Sequence, residues 1–153
     1  EADISNPKGY YEYKPVMSLY KDNSWLSKGQ DKAVKVVAPL LKYLDSTLRY
    51  KIIFMRRDLN EIIQSQQKMI GKSEQEFPVT LYNKYQKLLA NVTLWDKSEP
   101  GVEILYVNYT DVLENPATEL VRIEKFLGIT VDVDQMINCV DVSLYRNRIK
   151  AKK

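Results

Sequence analysis

Apolar residues along the chain fall into two kinds of run that alternate: short continuous stretches and longer stretches with apolar positions every three or four residues. Three stretches are continuous. Residues 33–37 form a β-branched run stopped by Pro39, residues 51–55 read Lys-Ile-Ile-Phe-Met and end at Arg56-Arg57-Asp58, and residues 102–107 follow Pro100-Gly101. Their length, β-branched and aromatic content and flanking turn residues predict strands. The periodic stretches predict helices. Leu59, Ile62, Ile63, Met69 and Ile70 share one helical face, with Asp58 at the N-cap position and Gly71 where the helix should stop. Leu81, Tyr85, Leu88, Leu89, Val92 and Trp95 predict a long amphipathic helix over 77–96, and Pro116 opens another that carries Leu120, Ile123, Phe126 and Leu127 up to Gly128. Thr110 or Asp111 can cap a short turn before it, and a last short helix is predicted over 133–140. A helical turn is predicted from Pro39 to Leu44. Residues 1–29, rich in Tyr, Pro, Asn and Gly, predict an irregular segment with one short helix near 16–26.

Nearly continuous apolar strands separated by helices imply a parallel sheet covered on both faces, hence a three-layer α/β/α architecture. At 153 residues the chain suits one domain, 1–153, with one substantial core.

Composition narrows the chemistry. A net charge of +3 gives no general nucleic-acid surface, and the basic end, residues 148–153, reads as a solvated tail. The lone Cys139 excludes an intramolecular disulfide and a cysteine metal cluster, and the absence of histidine removes the commonest metal ligand and general base. No metal is expected. With no membrane-length apolar run and no signal-like opening, the chain is expected to be soluble and cytoplasmic, with no membrane partner. The Asn-x-Thr triplets at Asn91 and Asn108 are read as accidental.

Ligands of parallel α/β sheets collect beyond the carboxyl ends of the strands, which selects residues 37–39, 56–58 and 108–111. The second carries cationic side chains just before a helix, so an anion there would meet a guanidinium and the positive end of a dipole. Arg57 and Ser65, eight residues apart, could share one phosphate lying along that helix. Tyr10, Tyr11 and Tyr13 could line a pocket or cover an edge of the core.

Several segments, in order, resemble the sulfotransferase family of P-loop NTPase-like fold. Val34-Lys35-Val36-Val37-Ala38-Pro39-Leu40 resembles that family's second strand. Lys51-Ile52-Ile53-Phe54-Met55-Arg56-Arg57-Asp58, continuing to Ser65, is similar to its strand-Arg-eight-Ser segment. Ile104-Leu105-Tyr106-Val107-Asn108-Tyr109-Thr110-Asp111-Val112-Leu113, with Asn115-Pro116 and Phe126-Leu127-Gly128, resembles its Tyr-x-Asp turn and helix end. The opening residues Asn6 to Glu12 and the closing Leu144 to Arg148 resemble those of bacterial-type members, so the similarity spans nearly the whole chain.

The resemblance implies transfer of a sulfuryl group from 3′-phosphoadenosine 5′-phosphosulfate (PAPS) to a hydroxyl acceptor. It assigns Arg57 and Ser65 to the donor's 3′-phosphate, Arg146 and Arg148 to a basic loop over the donor, and Lys35 to the charge on the leaving oxygen. Lys35, inside an apolar run, is expected to face a buried layer and to need an anionic partner. Where many relatives place a His, this chain has Val37; Glu12 is then the candidate proton acceptor. The family's first strand and Ser-Gly-Thr loop, which wrap the 5′-phosphosulfate, are expected to precede Glu1, so the fold is expected to be incomplete at its N-terminus. The chain alone is then expected to be inactive, or to complete its sheet by strand exchange in a homo-oligomer. A non-catalytic nucleotide-binding module is the alternative. A kinase is disfavoured, because no Gly-x-x-x-x-Gly-Lys occurs.

Overall fold

The computed structural model describes residues 8–70 and 78–145. They group into two compact units, one made of the residues up to Arg49 with Gln86–Gly101, the other of Tyr50–Tyr85 with the residues from Val102 onward.

The second unit is α/β and centres on two parallel strands, β1 (Tyr50–Arg56) and β2 (Val102–Asn108), paired in register from Tyr50 opposite Val102 to Arg56 opposite Asn108. The period of two puts Lys51 and Ile53 of β1 on the same face as Leu105 and Val107 of β2. On that face lies one core cluster: Val107 is fully buried and packs with Leu120 and Ile123 of helix α4 (Pro116–Leu127), joined by Ile53, Leu105 and Leu127.

Helix α1 (Leu59–Met69) follows β1 directly, begun by Asp58, whose carboxylate accepts from the N–H groups of Asn60 and Glu61. Its Ile63 has no exposed surface. After β2 the expected turn is a short helix, α3 (Tyr109–Glu114), in which the Asn108 amide donates to Asp111. Helix α4 starts on Pro116 and stops at Gly128, whose φ of 69° is a left-handed conformation that glycine adopts without a Cβ penalty. The Lys51 ammonium donates to the last carbonyls of α4, on Phe126 (2.7 Å) and Leu127 (3.1 Å), placing a cation at the negative end of that helix. Helix α5 (Val133–Cys139) completes the unit, capped by Asp132, which accepts from the Gln135 N–H.

The long helix α2 (Val79–Ser98) starts in the second unit and ends in the first. The rest of the first unit is 3₁₀ helix and loop: Lys14–Ser18 and Ser24–Gly29 replace the single helix expected near 16–26, and Ala38–Tyr43 is the helical turn expected after Pro39.

Residues 33–37 are a correction. They form no strand, so the sheet among the described residues has two strands rather than three. The reason is exposure without pairing: Val34 and Val37 are 36% and 40% exposed, and β-branched composition makes a strand only where a ladder and a packed face reward it. Among the described residues no helix is long and apolar enough to cross a membrane.

Candidate functional site

The sheet register brings two of the three expected strand ends together. Arg56 stands opposite Asn108, so the start of α1 and the start of α3 lie side by side beyond the carboxyl edge of the sheet. Arg56 lays its guanidinium over the Tyr106 ring, 3.8 Å from the centroid.

Arg57 turns into a polar and aromatic cluster. Its Nε donates to Glu61 Oε2 at 2.9 Å, and its Cζ lies 5.0 Å from the Tyr109 ring centroid and 5.1 Å from that of Tyr145. The two rings meet edge to face at 5.4 Å. The Tyr145 hydroxyl donates to both oxygens of Glu61, at 2.7 and 2.8 Å. Glu61 is only 4% exposed. A carboxylate so far from water requires compensation, and Arg57 with Tyr145 provides it.

Ser65 follows Glu61 by four residues, on the same face of α1, and is half-buried. Arg57 itself precedes the helix, and Glu61, which it bonds, stands one turn before Ser65 in the sequence. The N-terminus of α1 differs from expectation in a further way. Its first N–H groups are already bonded to Asp58, at 2.8 Å from Asn60 and 3.4 Å from Glu61. The helix end is therefore occupied by the chain's own acid.

The other candidates lie in the first unit. Lys35 is brought to Glu12, 3.7 Å from its Oε1, and donates to the Tyr10 carbonyl at 2.8 Å. Lys35 has the anionic partner that was expected, but it faces no buried layer: the two side chains are 50% and 41% exposed. Between the two acceptors Tyr11 takes a φ of 49°, a left-handed conformation, so that the Tyr10 carbonyl and the Glu12 side chain converge on one ammonium. Tyr11 is 81% exposed, and Tyr13 packs edge-on against Trp25 at 5.1 Å. A shallow cleft of about 320 Å³ in this unit is lined by Tyr20, Lys21, Asn23, Lys42 and Tyr43, not by the three tyrosines singled out earlier. Arg146 and Arg148 lie outside the described residues.

Three participants went unrecognised in the sequence. Glu61 carried a signal, its spacing of four from Arg57 on a helix. Tyr109 had a weaker one, its place at the end of β2. Tyr145 lies in the closing segment that resembles the family, but nothing in the sequence tied it to Glu61, 84 residues away.

Comparison with known families places most of the second unit's core segment in a family. A family model described as the sulfotransferase family covers residues 44–133, well over half of the chain, and takes in Arg57, Glu61, Ser65 and Tyr109. No curated protein and no solved structure matches the chain.

Proposed function

The chain belongs to the sulfotransferase family, and on that premise we propose that it binds PAPS, or the corresponding 3′,5′-bisphosphate, at the junction of β1 and α1 and serves sulfuryl transfer to a hydroxyl. The observation that carries this reading is the Arg57 guanidinium just past the end of β1 within the matched segment, bonded to Glu61. Arg57 would hold the 3′-phosphate, because a planar guanidinium matches phosphate geometry. Ser65, one turn after Glu61 in α1, would add a hydroxyl donor. When bound, the donor supplies the sulfuryl group.

The family resemblance proposes Lys35 as the cation that stabilises charge on the leaving oxygen and Glu12 as the acceptor of the hydroxyl proton. The two side chains lie 3.7 Å apart. A second reading, a nucleotide-binding module without turnover, draws support from the same pair. Both groups are close to half exposed, and a carboxylate acts best as a base when water is excluded from it.

Calorimetric titration with adenosine 3′,5′-bisphosphate tests the first reading. The full chain is expected to bind it, Ser65→Ala several-fold more weakly, and Arg57→Ala weaker by about 1.5 to 3 kcal/mol, the contribution of a hydrogen bond to a charged group. Equal binding by all three proteins would remove the site.

A further inference from the structure

We propose that Glu61 and Tyr145 are positioning residues that set the plane of the Arg57 guanidinium for a phosphate. This rests on the donor-binding reading above. Tyr145 touches both members of the ion pair, its hydroxyl bonded to Glu61 and its ring beside Arg57. Arg57 Nε and that hydroxyl both reach Glu61 Oε2, and the hydroxyl reaches Oε1 as well. The guanidinium is thereby constrained from three directions: by α1 through Glu61, by the end of β2 through Tyr109, and by the segment after α5 through Tyr145.

Two effects of Glu61 on an incoming phosphate oppose each other. Its charge repels the anion, while its bond fixes the fork that receives it. The repulsion is reduced because the carboxylate is already neutralised by Arg57 and hydrogen-bonded by Tyr145. The orienting bond keeps its full strength in so buried a place, with the Glu61 side chain 6% exposed. Arg57, at 20%, is the more exposed partner, so a phosphate approaches the guanidinium and not the carboxylate. Orientation wins, and losing either positioning residue weakens binding. The three residues act as a unit, so their effects are not additive.

The test uses the full chain, with adenosine 3′,5′-bisphosphate as the probe, in Tyr145→Phe, Glu61→Gln and Arg57→Ala proteins and in the two double variants that contain Arg57→Ala. Tyr145→Phe keeps the ring against Arg57 and removes only the hydroxyl. Both positioning variants are expected to weaken binding on the order of ten-fold, and neither to weaken it further once Arg57 is alanine. In the nucleotide-free protein, the Arg57 Nε–H resonance of an arginine-labelled sample is expected to be protected from exchange, and to lose that protection in Glu61→Gln. Binding that is unchanged or tighter in Tyr145→Phe and Glu61→Gln, while Arg57→Ala loses it, overturns the positioning role and leaves the phosphate site standing. Losses that add in full to that of Arg57→Ala overturn it too, since they mark a structural effect. Arg57→Ala binding like the unaltered chain overturns the donor-binding reading itself.

Discussion

Two ion pairs of this chain have the same chemistry and opposite surroundings. Arg57–Glu61 lies at 2.9 Å with side chains 20% and 6% exposed, and a tyrosine hydroxyl satisfies the carboxylate; Lys35–Glu12 lies at 3.7 Å with side chains 50% and 41% exposed. Water decides what each pair is worth. In the first, ionic groups have been taken out of solvent, so neither partner can be removed without stranding the other. In the second, solvent already satisfies both charges and the pair adds little beyond geometry. The buried pair is a fixed element on which a binding site can be built, whereas the exposed pair stays free to rearrange.

The largest expected effect follows from that contrast. Arg57→Ala leaves Glu61 charged and buried and is expected to lower unfolding stability by about 3 kcal/mol in urea titrations. Replacing both residues by apolar ones of similar volume is expected to restore most of the loss; a double variant as unstable as the single one would show that packing, not the stranded charge, sets the cost.

Lys35→Ala and Glu12→Gln are each expected to change stability by less than about 1 kcal/mol, with a difference that shrinks as salt is added. A loss as large as that of Arg57→Ala would erase the distinction between the two pairs.

The smallest effect is a dependence on pH in the first unit. Asp22 and Asp45 accept side-chain and then backbone hydrogen bonds from Ser24 and Thr47, which hold both carboxyls below their ordinary value of 3.8. Because the folded values are lowered, this contribution is fully present above the ordinary value and is lost as pH falls through the lowered ones. Asp22→Asn with Asp45→Asn is therefore expected to flatten the acid limb of stability below about pH 4 and to leave the buried pair's contribution untouched. An unchanged acid limb would show that these turns contribute nothing.

What the sequence disclosed depended on how local the cause was. β1, β2, α1, α2 and α4 were legible because period and punctuation sit in the same short stretch: Asp58 caps α1, Pro116 opens α4 and Gly128 ends it. The run at 33–37 misled because β-branched composition reports only half of what a strand needs, the other half being a paired neighbour. The Lys51 bonds to the end of α4 and the closure of Tyr145 on Glu61 span 75 residues or more and leave no periodic trace. The reading paired Arg57 with Ser65 and passed over Glu61, four residues from Arg57, which the structure shows bonded to it.

The central claim is that the guanidinium at the end of β1 recognises a 3′-phosphate. Its most direct test compares two nucleotides that differ only in that group, adenosine 3′,5′-bisphosphate and adenosine 5′-monophosphate, on the unaltered chain and on Arg57→Ala. The expected result is a preference for the bisphosphate on the order of ten-fold or more that disappears with the guanidinium. Equal affinities in the unaltered chain, or a preference that survives Arg57→Ala, would contradict the account.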